Sequence, residues 1–277
     1  DAQLVGHLSS PSAVYRQHSQ LEILRRGPSK ERTTALTKTA SDKNIPLYGR
    51  VAALWTLKQL LGAASTDALL TLAQDDEIRE FALRALTDRK SELKGVPTEP
   101  FLAALKDTNP RVRAQALICL GRLGRQETAE AIIPLTARES QYAVPTQEPL
   151  YKQADPGRVI PHLAVRALVA VDGAEAALKA VAGKYSAGAL WALKYMHNKT
   201  AVKGLITLLS TERDTAKRNE IMTTLIRLYH QEGEYKSGWW GTRPDRTGPY
   251  YDRQPWSQSE TIAKALATSL ADADKAT

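Results

Sequence analysis

Of 277 residues only one is cysteine, two are phenylalanine and two are methionine. No apolar run reaches the ~18 residues that a membrane-spanning helix needs. A single thiol cannot close an internal disulfide, so the cysteine count leaves the compartment open. Without C-x-x-C or C-x-x-C-H, this segment builds neither a zinc ribbon nor a c-type haem attachment of its own. Cys119 lies within the apolar pattern of a helix and reads as a buried structural thiol, because a reactive one needs an accessible, electropositive setting. The chain also lacks G-x-S-x-G, the P-loop, G-x-G-x-x-G and H-E-x-x-H. Its histidines, His7, His18, His162, His197 and His230, never fall at the i, i+4 spacing of a helical metal pair. We therefore expect no catalytic residue and no metal site in this segment. No convincing period-2 run occurs, which excludes a sheet protein and points to an all-α fold. With no initiator methionine and no signal-like start, residue 1 reads as a processed or excised beginning within a larger polypeptide.

What is present is a helical unit in several versions. In Asp107–Gly124, DTNPRVRAQALICLGRLG, Asp107 is suited to cap a helix and Pro110 to its first turn. Val112, Ala116, Leu117, Leu120 and Leu123 fall on one face, and Gly121 and Gly124 mark the exit. A second apolar helix is expected over Gln126–Ala137. Such a pair cannot bury both faces alone and must stack on copies of itself. Related helices align on Arg16, Arg50, Arg79, Arg113, His162, Ser186 and Arg218, at intervals of 24 to 49 residues. The longest interval spans residues 138–160. The best internal match sets ALWTLKQL at Ala53–Leu60 beside ALWALKYM at Ala189–Met196. The Asp-x-x-Pro-x-Val-Arg-x-x-Ala pattern resembles the HEAT-repeat family in its short-repeat form, over roughly residues 8–231. The resemblance implies an α-solenoid, a right-handed superhelix of about seven helix pairs.

Two segments interrupt the rhythm, so the expected organisation is a solenoid over 1–231 with a loop insertion at 138–160, an aromatic loop at 232–257, and a capping helix with a polar tail at 258–277. The first insertion holds Pro145, Pro149, Pro156 and Gly157. The second, EGEYKSGWWGTRPDRTGPYYDRQPW, gathers three of the five tryptophans and three of the ten tyrosines. Trp239, Trp240, Tyr250, Tyr251 and Trp256 offer flat apolar faces, while Arg243 and Asp245 offer directional hydrogen bonds. That mixture suits a protein partner, a neighbouring domain or a sugar ring; equally, the rings could pack down and seal the solenoid end. His162 and His197 are lesser candidates for a shared groove. Asp245 with Glu232 or Glu234 has no spacing that marks a catalytic carboxylate pair. A net charge of +8 raises nucleic acid as a partner, but the basic residues are interleaved with acids and read mainly as solvated faces.

WWGTRPDRTGPYY, LAVRAL after His162 and ALKYMHNKTAVKGLI around His197 together resemble large secreted planctomycete and verrucomicrobial dehydrogenase-like proteins. Those join a sugar-dehydrogenase-like β-propeller, a HEAT segment and a c-type cytochrome domain. The resemblance implies a periplasmic or secreted module with catalysis and haem c on flanking domains and no cofactor of its own. This chain holds neither flanking part. The function expected is thus a non-catalytic scaffold that docks a flanking domain, another protein or carbohydrate. The alternative is a nucleic-acid-binding HEAT-like protein, as in DNA repair.

Overall fold

The computed structural model describes residues 1–146, 154–234 and 252–274. Two compact units divide the chain, Asp1–Gly124 and Arg125–Thr277. The first comprises α1 (Ala2–Gly6), α2 (Ala13–Arg26), α3 (Lys30–Ser41), α4 (Leu47–Leu61), α5 (Thr66–Leu72), α6 (Arg79–Leu86), α7 (Glu99–Ala104) and α8 (Pro110–Leu123). The second comprises α9 (Ala129–Ile132), α10 (Val159–Ala170), α11 (Ala174–Ala180), α12 (Ser186–Leu193), α13 (Lys199–Thr211), α14 (Thr215–Leu228) and α15 (Ser259–Asp274). The strands β1 (His230–Gln231) and β2 (Gln254–Pro255) form a two-residue antiparallel pair.

Within each unit the helices pack on their sequence partners and, for the most part, on the helix two along. In the first unit α2, α4, α6 and α8 form one layer and α1, α3 and α5 belong to the other; α10, α12 and α14, against α9, α11, α13 and α15, repeat the scheme in the second. Among the described residues this makes seven helix pairs followed by α15, the all-α repeat architecture that the periodicity implies. The seam between layers is apolar: Leu36, Leu54, Leu57, Leu83, Phe101 and Leu120 are all essentially inaccessible. Ala53, Ala82 and Ala116 are buried among them.

The arginine used to align the repeats has a structural task. From the first turns of its helix it reaches back to carbonyls that the preceding turn leaves without partners. Arg16 Nη1 donates to the Ser10 carbonyl at 2.7 Å, Arg79 Nε to Ala73 at 3.0 Å, Arg113 Nη1 to Asp107 at 2.9 Å and Arg218 Nη1 to Leu209 at 2.8 Å. Arg50, 1% exposed, donates to the Ala40 carbonyl and to the carboxylates of Asp75 and Glu77. Arg79 likewise bonds Asp107 at 2.7 Å, so in these two successive repeats the turn acid is held by the arginine of the repeat before it.

Several local expectations are corrected. The cap of α8 is Asn109, whose side chain accepts from the Arg111 N–H; Asp107 instead accepts from the Asn109 N–H and from Arg79. Gly121 lies inside α8, and only Gly124, at φ 65°, ends it. The helix expected over Gln126–Ala137 is broken into a 3-10 turn (Gln126–Thr128), the single turn α9 and a second 3-10 turn (Ile133–Thr136), because Pro134 has no N–H to continue the ladder. Leu123 is only half-buried, at the edge of the face expected to pack. Cys119 is buried as expected, its thiol donating to the Leu83 carbonyl and accepting from Thr87 Oγ1; burial pushes its pKa up, away from reactivity. No helix among the described residues is long and apolar enough to cross a membrane.

Candidate interaction site at the base of the aromatic loop

The second excursion leaves α14 and returns to α15 through one fixed point. His230 pairs with Pro255 and Gln231 with Gln254, so the two ends of the loop lie side by side. Trp256 follows immediately. Its indole Nε1 donates to the Leu228 carbonyl at 2.7 Å, satisfying a terminal acceptor of α14. Its backbone N–H donates to Ser259 Oγ at 2.9 Å, and that hydroxyl donates to the Tyr229 carbonyl at 2.6 Å. Ser259 is the first residue of α15, and the same hydroxyl ties that helix to the end of α14. Gly233 completes the base: a Cβ there would lie 2.5 Å from the Asp252 carbonyl oxygen, so only glycine lets the two arms approach.

His197 meets this point from the turn after α12. Its ring stands edge-on to Trp256 at 5.4 Å, and Nε2 donates to the His230 carbonyl at 2.9 Å. Desolvation holds its pKa below the ordinary 6.5, assisted by the positive charge of Arg227 and only partly opposed by the hydrogen bond.

Beside this base lies a cavity of about 490 Å³, lined by Thr223, Ile226, Arg227, Tyr229, His230, Arg253 and Leu266. The Arg227 guanidinium lies over the Tyr195 ring at 5.5 Å. Arg253 is exposed and makes no ion pair among the described residues. The lining combines cations with apolar walls, which suits an anionic or hydroxyl-rich group attached to a flat body.

Of the residues singled out from the sequence, Trp256 and His197 are brought together. Trp239, Trp240, Arg243, Asp245, Tyr250 and Tyr251 lie outside the described residues. His162 belongs to a different neighbourhood: it is exposed, with its ring 6.2 Å from that of Trp191. There the first excursion is closed by Arg138, which bonds Asp155 at 2.7 Å, and by the Glu139 N–H, which donates to the Gly157 carbonyl at 3.3 Å. The closure borders a cavity of about 430 Å³ whose lining includes Val144, Pro145, Arg158 and Trp191.

Sequence reasoning missed Tyr195, Arg227, Arg158 and Trp191. One signal was in view, the ALWTLKQL and ALWALKYM match. Its two tryptophans take equivalent roles, each carrying a guanidinium on its ring, Arg84 over Trp55 at 5.8 Å and Arg158 over Trp191 at 5.4 Å. Among the described residues no group of three histidine, cysteine or carboxylate side chains is placed to hold a metal.

Residues 66–148 match the family described as HEAT repeats. No curated protein sequence matches the chain. Among solved structures, an engineered protein is similar at 16% identity and a TM-score of 0.44, over 97% of this chain and 71% of that one. A complex of CpcE and CpcF of phycocyanin lyase from Nostoc sp. PCC7120 is similar at 16% identity and a TM-score of 0.40, over 81% and 93%. A designed armadillo repeat protein in complex with a peptide is similar at 14% identity and a TM-score of 0.37, over 82% and 98%.

Proposed function

We propose that this chain is a non-catalytic interaction module that docks a flanking domain, another protein or a carbohydrate through the aromatic loop and the surface at its base. The observation that supports it is the mounting of the loop. Trp256, Ser259, His197 and the β1–β2 pair tie its ends to three helices. A binding loop works best when a rigid scaffold presents it, because less conformational freedom is lost on binding. In this reading Trp239, Trp240, Tyr250 and Tyr251 stack, Arg243 and Asp245 orient, and Arg253 supplies charge at the rim.

The setting we propose is periplasmic or secreted, within a larger dehydrogenase-like protein whose catalytic and haem c domains flank this one. It rests on the family resemblance of the 239–251 stretch. The intact mass and visible spectrum of the native polypeptide test it: a much larger chain with a Soret band supports it, and a colourless chain of this size sinks it.

Docking itself is tested by Trp240→Ala in the full chain. Oligosaccharide or partner binding should fall by at least tenfold with helicity unchanged, in keeping with an aromatic anchor worth about 2 kcal/mol. Nucleic-acid binding is the alternative. It predicts a steep loss of duplex affinity with salt, whereas many of the cations here are already engaged by carboxylates.

A further inference from the structure

Charge is sorted between the two layers of the first unit. Helices α2, α4, α6 and α8 carry ten arginines and lysines against two glutamates, whereas α1, α3 and α5 carry three basic and two acidic residues. Much of this excess is neutralised locally. Arg50 holds Asp75 and Glu77, Lys58 holds Glu92, Arg79 holds Asp107, Arg111 holds Glu80, and Glu22 takes Arg25 and Arg26. Three arginines of the layer have no carboxylate against them among the described residues. Arg16 bonds only carbonyls and lies 4.8 Å over the Tyr48 ring, Arg84 lies over Trp55, and Arg122 bonds the Thr87 carbonyl. Between them the layer exposes apolar surface, with Tyr48 at 43% and Ile118 at 40%.

We infer that this layer is a docking surface for an extended acidic peptide segment whose carboxylates recur at every third residue with apolar residues between them. Arg84 and Arg122 stand in the last turns of α6 and α8, which pack side by side. Neighbouring helices lie ~8–10 Å apart, and a chain extended as polyproline II advances ~3.1 Å per residue with about three residues per turn, so every third side chain shares one face and meets successive helices as the chain crosses them. A guanidinium already resting on a ring has lost part of its freedom, and its N–H edge remains available for a two-point bond to a carboxylate. Single-stranded nucleic acid fits less well. It needs open ring faces for its bases, and on Tyr48 and Trp55 a guanidinium already occupies one face.

The test is a titration of the full chain with a labelled twelve-residue peptide bearing glutamate at every third position and leucine or phenylalanine between. Binding should weaken at least tenfold when its glutamates are replaced by glutamine. It should weaken by a similar factor in the Arg84→Gln, Arg122→Gln double variant, with far-UV circular dichroism unchanged. Arg84→Lys, which keeps the charge and loses the planar fork, should lie between. Equal binding of the glutamine peptide overturns the proposal without relying on any variant. So does tighter binding of a single-stranded oligothymidylate of equal charge, or indifference of the acidic peptide to the double variant.

Discussion

At the residue scale, the most informative side chains are polar ones that close a repeat or a loop on itself. Trp256 is an aromatic ring in the sequence; in the structure its N–H is as consequential as its face, because it satisfies a carbonyl at the end of α14. His197 works in the same way, donating to the His230 carbonyl while its ring abuts Trp256. A pH dependence follows. Burial lowers the pKa of His197 in the folded chain from 6.5, so the unfolded or opened form takes up a proton first. The stabilisation is therefore complete above about pH 6.5 and is lost as pH falls through the lower folded value. Protection of the His230 and Gln231 amides, expressed relative to their intrinsic exchange rates at each pH, should fall on acidification from pH 7 to 5, and His197→Gln should flatten that dependence. Equal slopes in both proteins would show that His197 does not control the base of the loop.

At the scale of elements, backbone proximity decides what propensity cannot. Gly188 lies inside α12, where alanine normally adds about 1 kcal/mol of helix stability. Here the side chain of Thr136 already occupies the place of a Cβ, and the Thr136 carbonyl oxygen would be 2.9 Å from it. Thr136 is buried and its hydroxyl donates to the Ile133 carbonyl, so it has little room to yield. Gly188→Ala should thus be destabilising, by about 1–3 kcal/mol, as overpacking is. Denaturant unfolding measures it, and a gain in stability would show that the contact relaxes freely. The broken helix around α9 teaches the same lesson. Its apolar pattern reads as continuous, but Pro134 divides it.

For the whole molecule, ion pairs between successive repeats dominate the electrostatics of the first unit. Burial raises the carboxyl of Asp75, but hydrogen bonds from Arg50 and the Glu77 N–H, with the charge of Arg50 and Lys43, outweigh it, and the group lies below its ordinary 3.8. The hydrogen bond from Lys58 holds Glu92 below 4.5 despite desolvation. These carboxylates stabilise the fold above their ordinary values, and that contribution is lost as pH falls through the lowered ones. Removing Arg50, which is almost wholly buried, takes from Asp75 its 2.7 Å partner and leaves it only the more distant Lys43 and one backbone N–H. Arg50→Ala should cost about 3–5 kcal/mol and lessen the loss of stability below about pH 4. Because each repeat touches only its neighbours, amide exchange should accelerate around α3 to α6 and change little in α13 to α15. A uniform acceleration would show that the chain unfolds as one block.

The sequence by itself determined the class of fold, because a recurring apolar stripe at helical spacing, with an arginine near the start of five of the seven aligned helices, states much the same local geometry each time. Periodicity located the helix pairs, glycine and proline located the two excursions, and a crowding of rings marked the second as the candidate site. It also aligned Arg16, Arg50, Arg79, Arg113 and Arg218, but not what they do, since their acceptors are carbonyls and turn acids whose positions depend on how repeats stack. Only the tertiary structure brought His197 to Trp256, placed His162 beside Trp191 instead, and sorted the positive charge onto one layer of the first unit. Those contacts join residues tens of positions apart, and no local rule of spacing fixes which face of one helix meets which turn of another.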